Sequence, residues 1–454
     1  MQRTTSRRGL ALAVVAGLAL AACAETETTT TSVESTSPAA TDAPATTDGA
    51  VTTEPSGPSA QVQWALDYVG GAGGPVSGDP VRIGFASSSD LFPDADTAAD
   101  ATAAYVNEQL GGIDGRPLEI VHCNLAVPED GTACATQFAN DDSIVLTVVG
   151  QGLVGNGDFY TTISGKKPVY TAAPSGLDDF ISTVSVSYFA GALGASLGIA
   201  GFVLEEVKPS VLGVLITDDA AGRGGYAVLE PILKSAGAEV RPVFVAPTAT
   251  APEVESALQA VGVDQVDALV VGVFEQGCIA AYDALKNLGI DATATAIIAV
   301  SPCHGAAMQQ HMADVGESGI LPNGWYFTGS GYNLFTGNAD SGTDTVLDVL
   351  AAAGKPELAY GVGSEEVIGG LMTMVKHLNA LDGDYSVASI DGAIRAYTGP
   401  VMSAAGSMAC GAPPLFKGIC TTRASIDRYI DGAWEATRSG DDSIDITPYT
   451  TPAG

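Results

Sequence analysis

From residue 81 onward the chain alternates short apolar runs with stretches of helical period, and that alternation restricts it to sheets covered by helices. Runs at 81–86, 118–124, 144–150 and 168–173 suit buried parallel strands. Helical spacing lies between them, notably at 96–110 and 132–140. The segment Gly111-Gly112-Ile113-Asp114-Gly115-Arg116-Pro117 stops the first of these helices and turns the chain. A second series repeats the theme, with strands expected at 211–218, 240–246, 268–274 and 296–300 and helices at 226–236, 253–261 and 280–288. A long helical segment, 187–206, separates the series, and further helical patterns follow at 345–353, 365–381 and 390–398. The expected fold is α/β, with two doubly wound parallel-sheet lobes facing each other across a cleft.

In open parallel sheets, ligands sit beyond the carboxyl ends of the strands. That rule selects the loops 87–92, 151–156, 172–176, 218–225, 275–277 and 301–304. The candidates they carry are Ser89, Gln151, Gly152, Ser175, Asp219 and Glu275, with Phe274 at the end of its strand. Glu275 follows an apolar run at the expected cleft mouth, where it either meets a ligand ammonium or stands solvated. Trp325, followed by Tyr326, walls the cleft or packs a hinge.

The first residues stand outside this fold. Arg3, Arg7 and Arg8 precede an apolar run at 9–22, which is too short to span a membrane but suits a signal peptide. The run ends Leu20-Ala21-Ala22-Cys23, which resembles a bacterial lipobox with Cys23 as the lipidated residue. Ser6-Arg7-Arg8 leaves twin-arginine export open beside the general secretory route. Residues 23–60 are dominated by Thr, Ser, Ala, Pro and acids. Such a segment buries too little to order itself, so a disordered tether is expected. The protein is thus expected outside the cytoplasm, held at the membrane by lipid. Its 52 acidic against 19 basic residues leave a formal charge of −33, which argues against nucleic acid as a partner.

Seven cysteines follow the same logic. With Cys23 given to lipid, six fall into near neighbours: Cys123 with Cys134, Cys278 with Cys303, and Cys410 with Cys420. In an exported chain three bridges are the simplest reading. A zinc site around Cys303, His304 and His311 is the rival, and no Cys-x-x-Cys spacing supports it. No enzyme chemistry stands out. Gly194-Ala195-Ser196-Leu197-Gly198 matches the G-x-S-x-G pattern but lies inside a helical stretch rather than on a strand-to-helix elbow. Asp218 and Asp219, just before Gly222-Arg223-Gly224-Gly225, would repel a phosphate there. His122 and His377 read as ordinary structural residues.

Read together, Val81-Arg82-Ile83-Gly84-Phe85, the run from Gly111 to Val121, Val148-Val149-Gly150, Pro168 to Ala173 and Asp219 to Gly224 resemble type I periplasmic substrate-binding proteins of the branched-chain amino-acid kind, the leucine-binding protein family. The Cys410 to Cys420 loop is similar as well. The resemblance implies two lobes joined by three crossings, here 61–185 with 331–395 and 186–330 with 396–454. It implies a monomer without cofactor that delivers a small polar ligand, an amino acid or related amide or carboxylate, to an ABC permease and its ATPase. A sensor on the same fold, signalling to a membrane partner, is the alternative. The family's carboxylate clamp carries over to Ala173 and Ser175, with Thr171 beside them, and to the loop of Gln151 and Gly152. Two departures stand out: Ala221 replaces a frequent aromatic, and Cys303 and His304 stand where an acid often meets the ligand ammonium. That partner is then expected at Glu275 or Asp219.

Overall fold

The computed structural model describes residues 58–235, 237–336, 342–361, 363–438 and 443–450. The expected signal peptide, Cys23 and nearly all of the expected tether lie outside the described residues.

Helix α1 (Ala60–Val69) begins where the tether was expected to give way to the body. The Ser59 side chain accepts the Val62 amide at 3.2 Å, which starts the helix, and Gly70 in the left-handed region ends it. The first βα series then runs β1 (Val81–Ser87), α2 (Pro93–Gln109), β2 (Leu118–Asn124), α3 (Pro128–Asn140), β3 (Ile144–Val149), α4 (Asn156–Ile163), β4 (Val169–Thr171) and α5 (Leu177–Ile181). Its four strands pair in parallel in the order β2-β1-β3-β4. The turn after α2 depends on glycine. Gly112 has φ +75°, and a Cβ there would fall 2.0 Å from the Arg116 carbonyl oxygen.

The second series runs α6 (Gly191–Phe202), β5 (Val211–Thr217), α7 (Ala220–Ser235), β6 (Glu239–Val245), α8 (Ala251–Val261), β7 (Ala268–Gly272), α9 (Glu275–Asn287), β8 (Ala296–Ala299), α10 (Ala306–Asp314) and β9 (Tyr326–Gly329). The chain then returns to the first core as α11 (Thr343–Ala352), α12 (Ser364–Ala380) and α13 (Val387–Ala396). It crosses back to end in β10 (Arg423–Ile430), β11 (Ala433–Ala436) and β12 (Ile444–Asp445). The second sheet has the order β11-β10-β9-β8-β7-β5-β6, with β12 paired to β10. Strands β5 to β9 are parallel, whereas β10 is antiparallel to β9, β11 and β12. The second sheet is therefore mixed, because its last strands arrive from a late return of the chain rather than from a βα crossover.

Three connections link the two sheets. The first and third run side by side: the Ser187 amide donates to the Gly418 carbonyl at 2.7 Å, and the Cys420 amide donates to the Ser187 carbonyl at 2.8 Å. The second is tied to the third by the Tyr332 amide on the Ser403 carbonyl, 2.7 Å. The three cysteine pairs expected from spacing, Cys123 with Cys134, Cys278 with Cys303 and Cys410 with Cys420, are disulfide-bonded. Helix α12 is buried almost all round, from Val367 to Val375 without interruption, so it forms the centre of the first core rather than a surface face. Among the described residues no helix is long and apolar enough to cross a membrane.

Candidate functional site

Loops from both sheets meet at a half-open cavity of about 120 Å³. The first sheet contributes Gln151 after β3 and Pro174 and Ser175 after β4. The second contributes Ser301 and His304 after β8, and Thr328, Gly329 and Ser330 at the end of β9. The first turn of α6 and the approach to α12, with Glu365 and Glu366, complete the wall. A smaller cavity of about 50 Å³ shares His304, Thr328, Gly329, Ala359 and Glu365 with it and adds Asp427 of β10 and the rings of Phe327, Phe335, Tyr360 and Trp434. The site thus lies over β3 and β4 on one side and β8, β9 and β10 on the other, beside the crossings.

Each loop is held by bonds that explain its shape. Buried Asp179 in α5 accepts the amides of Ser175 and Gly176, both at 2.9 Å, the Asn156 side-chain amide at 2.8 Å and the Tyr160 hydroxyl at 2.5 Å. Burial pushes its carboxyl above the usual range, and the donors around it oppose that shift. This carboxyl positions the loop that presents Ser175. On the other side, the Cys278–Cys303 bond ties the start of α9 to the short turn Ser301–His304, which sets His304 against the cavity. Gly191 has φ +55°, and a Cβ there would meet the Pro174 carbonyl oxygen at 2.0 Å, so only glycine allows α6 to start so close to the β4 loop.

The polar groups of the cavity are short of partners. Gln151 is 5 % exposed and Thr328 2 %, yet Gln151 Oε1 and Thr328 Oγ1 have no hydrogen-bond partner. The same holds for His304 Nδ1 and Glu365 Oε1. Burial lowers the His304 pKa to about 4, so the ring is neutral near pH 7. Burial pushes Glu365 well above the usual carboxylate range, with Glu366 adding to the shift. Burial raises Glu366 to about 7, although the Ser330 hydroxyl donates to it. Asp427 is raised to about 7 for the same reason. Among the described residues lining the two cavities there is no lysine or arginine.

Of the residues expected at the site, Gln151 and Ser175 line the cavity and the others do not. Ser89 follows β1, one strand further from the crossings, and its amide is bonded to Asn124 Oδ1 at 3.0 Å. Gly152 packs on Asn156, whose side chain donates to its carbonyl at 3.1 Å. Thr171 is buried in the support of the loop, with its hydroxyl 2.8 Å from Tyr160 and 2.9 Å from Ser185. The Ala173 amide, expected to clamp a carboxylate, is already given to the Gly150 carbonyl at 2.9 Å. Asp219 follows β5, on the far side of the second sheet, and accepts the Gly222 amide at 2.7 Å at the start of α7. Phe274 is exposed at the cap of α9. Glu275, expected to meet an ammonium, instead accepts the Ala307 amide at 2.7 Å and caps α10. Trp325 lies at the opposite end of β9 from the cavity, against Tyr282 in a separate open groove.

The residues that do wall the cavity were partly within reach. The loop 301–304 was selected by the strand-end rule. Glu365 and Glu366 were not, although two acids opening a helix with no solvent face are a signal in themselves. Thr328 and Asp427 lie on strands absent from the expected series, and Ser330 follows the first of them. The G-x-S-x-G segment lies within α6, where a Cβ on Gly198 would meet Ala424 at 2.8 Å, so its small residues serve helix-to-sheet packing.

Two α/β lobes whose loops meet at a small cavity beside the crossings are the arrangement of a solute-binding fold. Comparison with known proteins agrees. The family model for periplasmic binding proteins matches residues 80–327, and the chain belongs to that family. Solved structures share the fold at low identity. A substrate-binding protein of an ABC transporter from Desulfitobacterium hafniense, in complex with Leu, is 16% identical, with a TM-score of 0.60 over 79% of this chain and 100% of that one. A leucine-binding protein from Thermotoga maritima is 12% identical, with a TM-score of 0.60 over 79% and 98%. A fatty acid ABC transporter substrate-binding protein from Thermomonospora curvata is 14% identical, with a TM-score of 0.62 over 84% and 96%. No curated protein matches the sequence.

Proposed function

We propose that this protein is an extracytoplasmic solute receptor that captures a small polar molecule between its lobes and delivers it to the permease and ATPase of an ABC importer. In this reading Cys23 carries the lipid anchor, residues 23–60 are the tether, and the lobes are 61–185 with 331–395 and 186–330 with 396–454. The carrying observation is a cavity lined by loops of both sheets and bordered by unpartnered buried polar atoms. A solute there touches both lobes at once only when they are closed, so its differential affinity favours closure. The structural relatives include a leucine-binding protein and a fatty acid ABC transporter substrate-binding protein, so the fold leaves the solute to be read from the site.

The test is a thermal-shift screen of the mature chain carrying Cys23→Ser, across amino acids, amines, amides and carboxylates. A solute at a hundred times its dissociation constant stabilises by about 2.7 kcal/mol. A cooperative melt that no solute moves would count against the receptor reading. Incorporation of labelled fatty acid into the native chain, absent from Cys23→Ser, tests the anchor.

A further inference from the structure

We propose that the solute is a small organic cation, whose ammonium group sits among the carboxylates of Glu365, Glu366 and Asp427 and against the rings that line the smaller cavity. This rests on the receptor reading above and narrows it to a ligand class.

The first argument is charge. Three carboxylates from two separate elements, α12 and β10, border the joined cavities, and no described basic side chain answers them. Carboxylates enclosed together must take up protons or a cation. The second argument is hydrogen bonding. Gln151 Oε1 and Thr328 Oγ1 are deeply buried, border the same cavity and lack partners. The Ser175 hydroxyl donates to the Ala173 carbonyl at 3.1 Å, so it is left as an acceptor toward the cavity. Gln151 Oε1 and Glu365 Oε1 call for N–H or O–H donors; a free carboxylate supplies none, and Glu365 repels its charge. The Thr328 hydroxyl takes either role, and Trp434 Nε1, an unpartnered donor on the smaller cavity, is served by a ligand hydroxyl.

The third argument is the aromatic wall. Phe335 and Tyr360 stack with centroids 4.5 Å apart, Phe327 meets Trp434 edge-on at 5.4 Å, and Trp434 lies parallel to Phe335 at 6.3 Å. All four rings line the cavity that holds Asp427 and Glu365. Phe335 is stacked between Tyr360 and Trp434, so the wall offers apolar contact to the carbon substituents of an alkylammonium ion, and a ring face left outside the stack adds its quadrupole. The α-amino-acid clamp expected at Ala173 has its amide engaged elsewhere, which removes the anion-binding half of that mode.

Calorimetric titration of the mature Cys23→Ser chain at pH 8 decides the matter. The probes are choline, ethanolamine, the uncharged tert-butyl analogue of choline, propanoate and leucine. At least one of the two amines should bind, with the uncharged analogue and propanoate weaker by about tenfold or more. Asp427→Asn and Trp434→Leu should each weaken the amine by about tenfold, with the circular dichroism spectrum retained as a control for folding. Glu366→Gln, which keeps the shape of the side chain, should do the same in a protein that melts no lower than the parent. If leucine or a neutral solute binds while both amines fail, the cation assignment is overturned and the receptor reading stands. If the uncharged analogue binds as well as choline, the charge argument is overturned. If no member of this panel or of the wider thermal-shift screen binds, both readings fall together.

Discussion

Glu366 shows how the site trades stability for readiness. Its carboxyl is raised from the ordinary 4.5 to about 7 by burial, while the Ser330 hydroxyl pulls the other way. Glu365 and Asp427 lie on the same cavity, His304 faces it as a neutral ring, and the Tyr170 phenol lies within electrostatic reach. In the unfolded chain Glu366 ionises near 4.5, before the folded chain can follow. Its contribution to stability is therefore full below about pH 4.5 and is lost as pH rises to about 7. At about 1.4 kcal/mol per pKa unit, a loss on the order of 3–4 kcal/mol follows for a fully enclosed group, and less for one that keeps some exposure. Glu366→Gln should thus melt with the parent near pH 4 and above it at pH 8 when no solute is present. Subtracting the two curves removes His122, raised to about 9 chiefly by its bond to Asp96, which weakens the fold at higher pH in both proteins alike. Equal melting of the two at pH 8 would mean the carboxylate is not strained. Burial raises the Asp179 carboxyl too, but four donors hold it in place. Asp179→Ala leaves those donors buried and unpaired. It should cost about 2–4 kcal/mol in denaturant unfolding and weaken solute binding through the Ser175 loop.

The elements show which parts of this were legible. Strands β1, β3, β5, β7 and β8 were placed within two residues of their ends, because apolar runs buried on both faces leave a strong mark. Strands β11 and β12 left none: β11 is mostly exposed and β12 has two residues, so neither shows a period. The site suffered accordingly. The strand-end rule found the loops after β3, β4 and β8, but it weighted every strand equally. The cavity uses only the strands nearest the crossings, and sheet order is not written in periodicity. Glu275 misled for a related reason: a carboxylate after a strand looks the same whether it meets a ligand or caps the next helix. Helix α6 offers a test at this scale. Gly198 faces Ala424 and Gly201 faces Ile444, with a Cβ at either position falling within 2.8 Å of its neighbour. Gly198→Val should destabilise by about 1–3 kcal/mol. Ser196→Ala, inside the G-x-S-x-G pattern, should leave both stability and solute binding within error. A binding loss in Ser196→Ala at unchanged stability would give that motif a role beyond packing.

At the scale of the whole molecule, the three crossings are bonded to one another, and in the receptor reading they should act as one hinge. The third crossing holds Ser187 of the first through Gly418 and Cys420, and the Cys410–Cys420 bond closes the loop that carries both. The Ala409 amide on the Cys420 carbonyl, 2.6 Å, braces the same loop. Neither sheet depends on that disulfide for its strand pairing. Cys410→Ser with Cys420→Ser should therefore loosen the strap more than the lobes. The short loop it closes is worth about 2–3 kcal/mol to the whole chain in the entropy model, and that part appears as a lower melting point. The informative part is local. Amide exchange at Ser187 and Cys420 should speed up by more than the global loss explains, while β1 and β5 amides follow the global loss alone. Solution scattering should show a wider spread of shapes without solute and recover the parent's compaction when solute is saturating, since the ligand contacts in the cleft are untouched. Uniform acceleration of exchange in all strands would make the bond a plain stabiliser of the fold, and the hinge would have to be sought in the other two crossings.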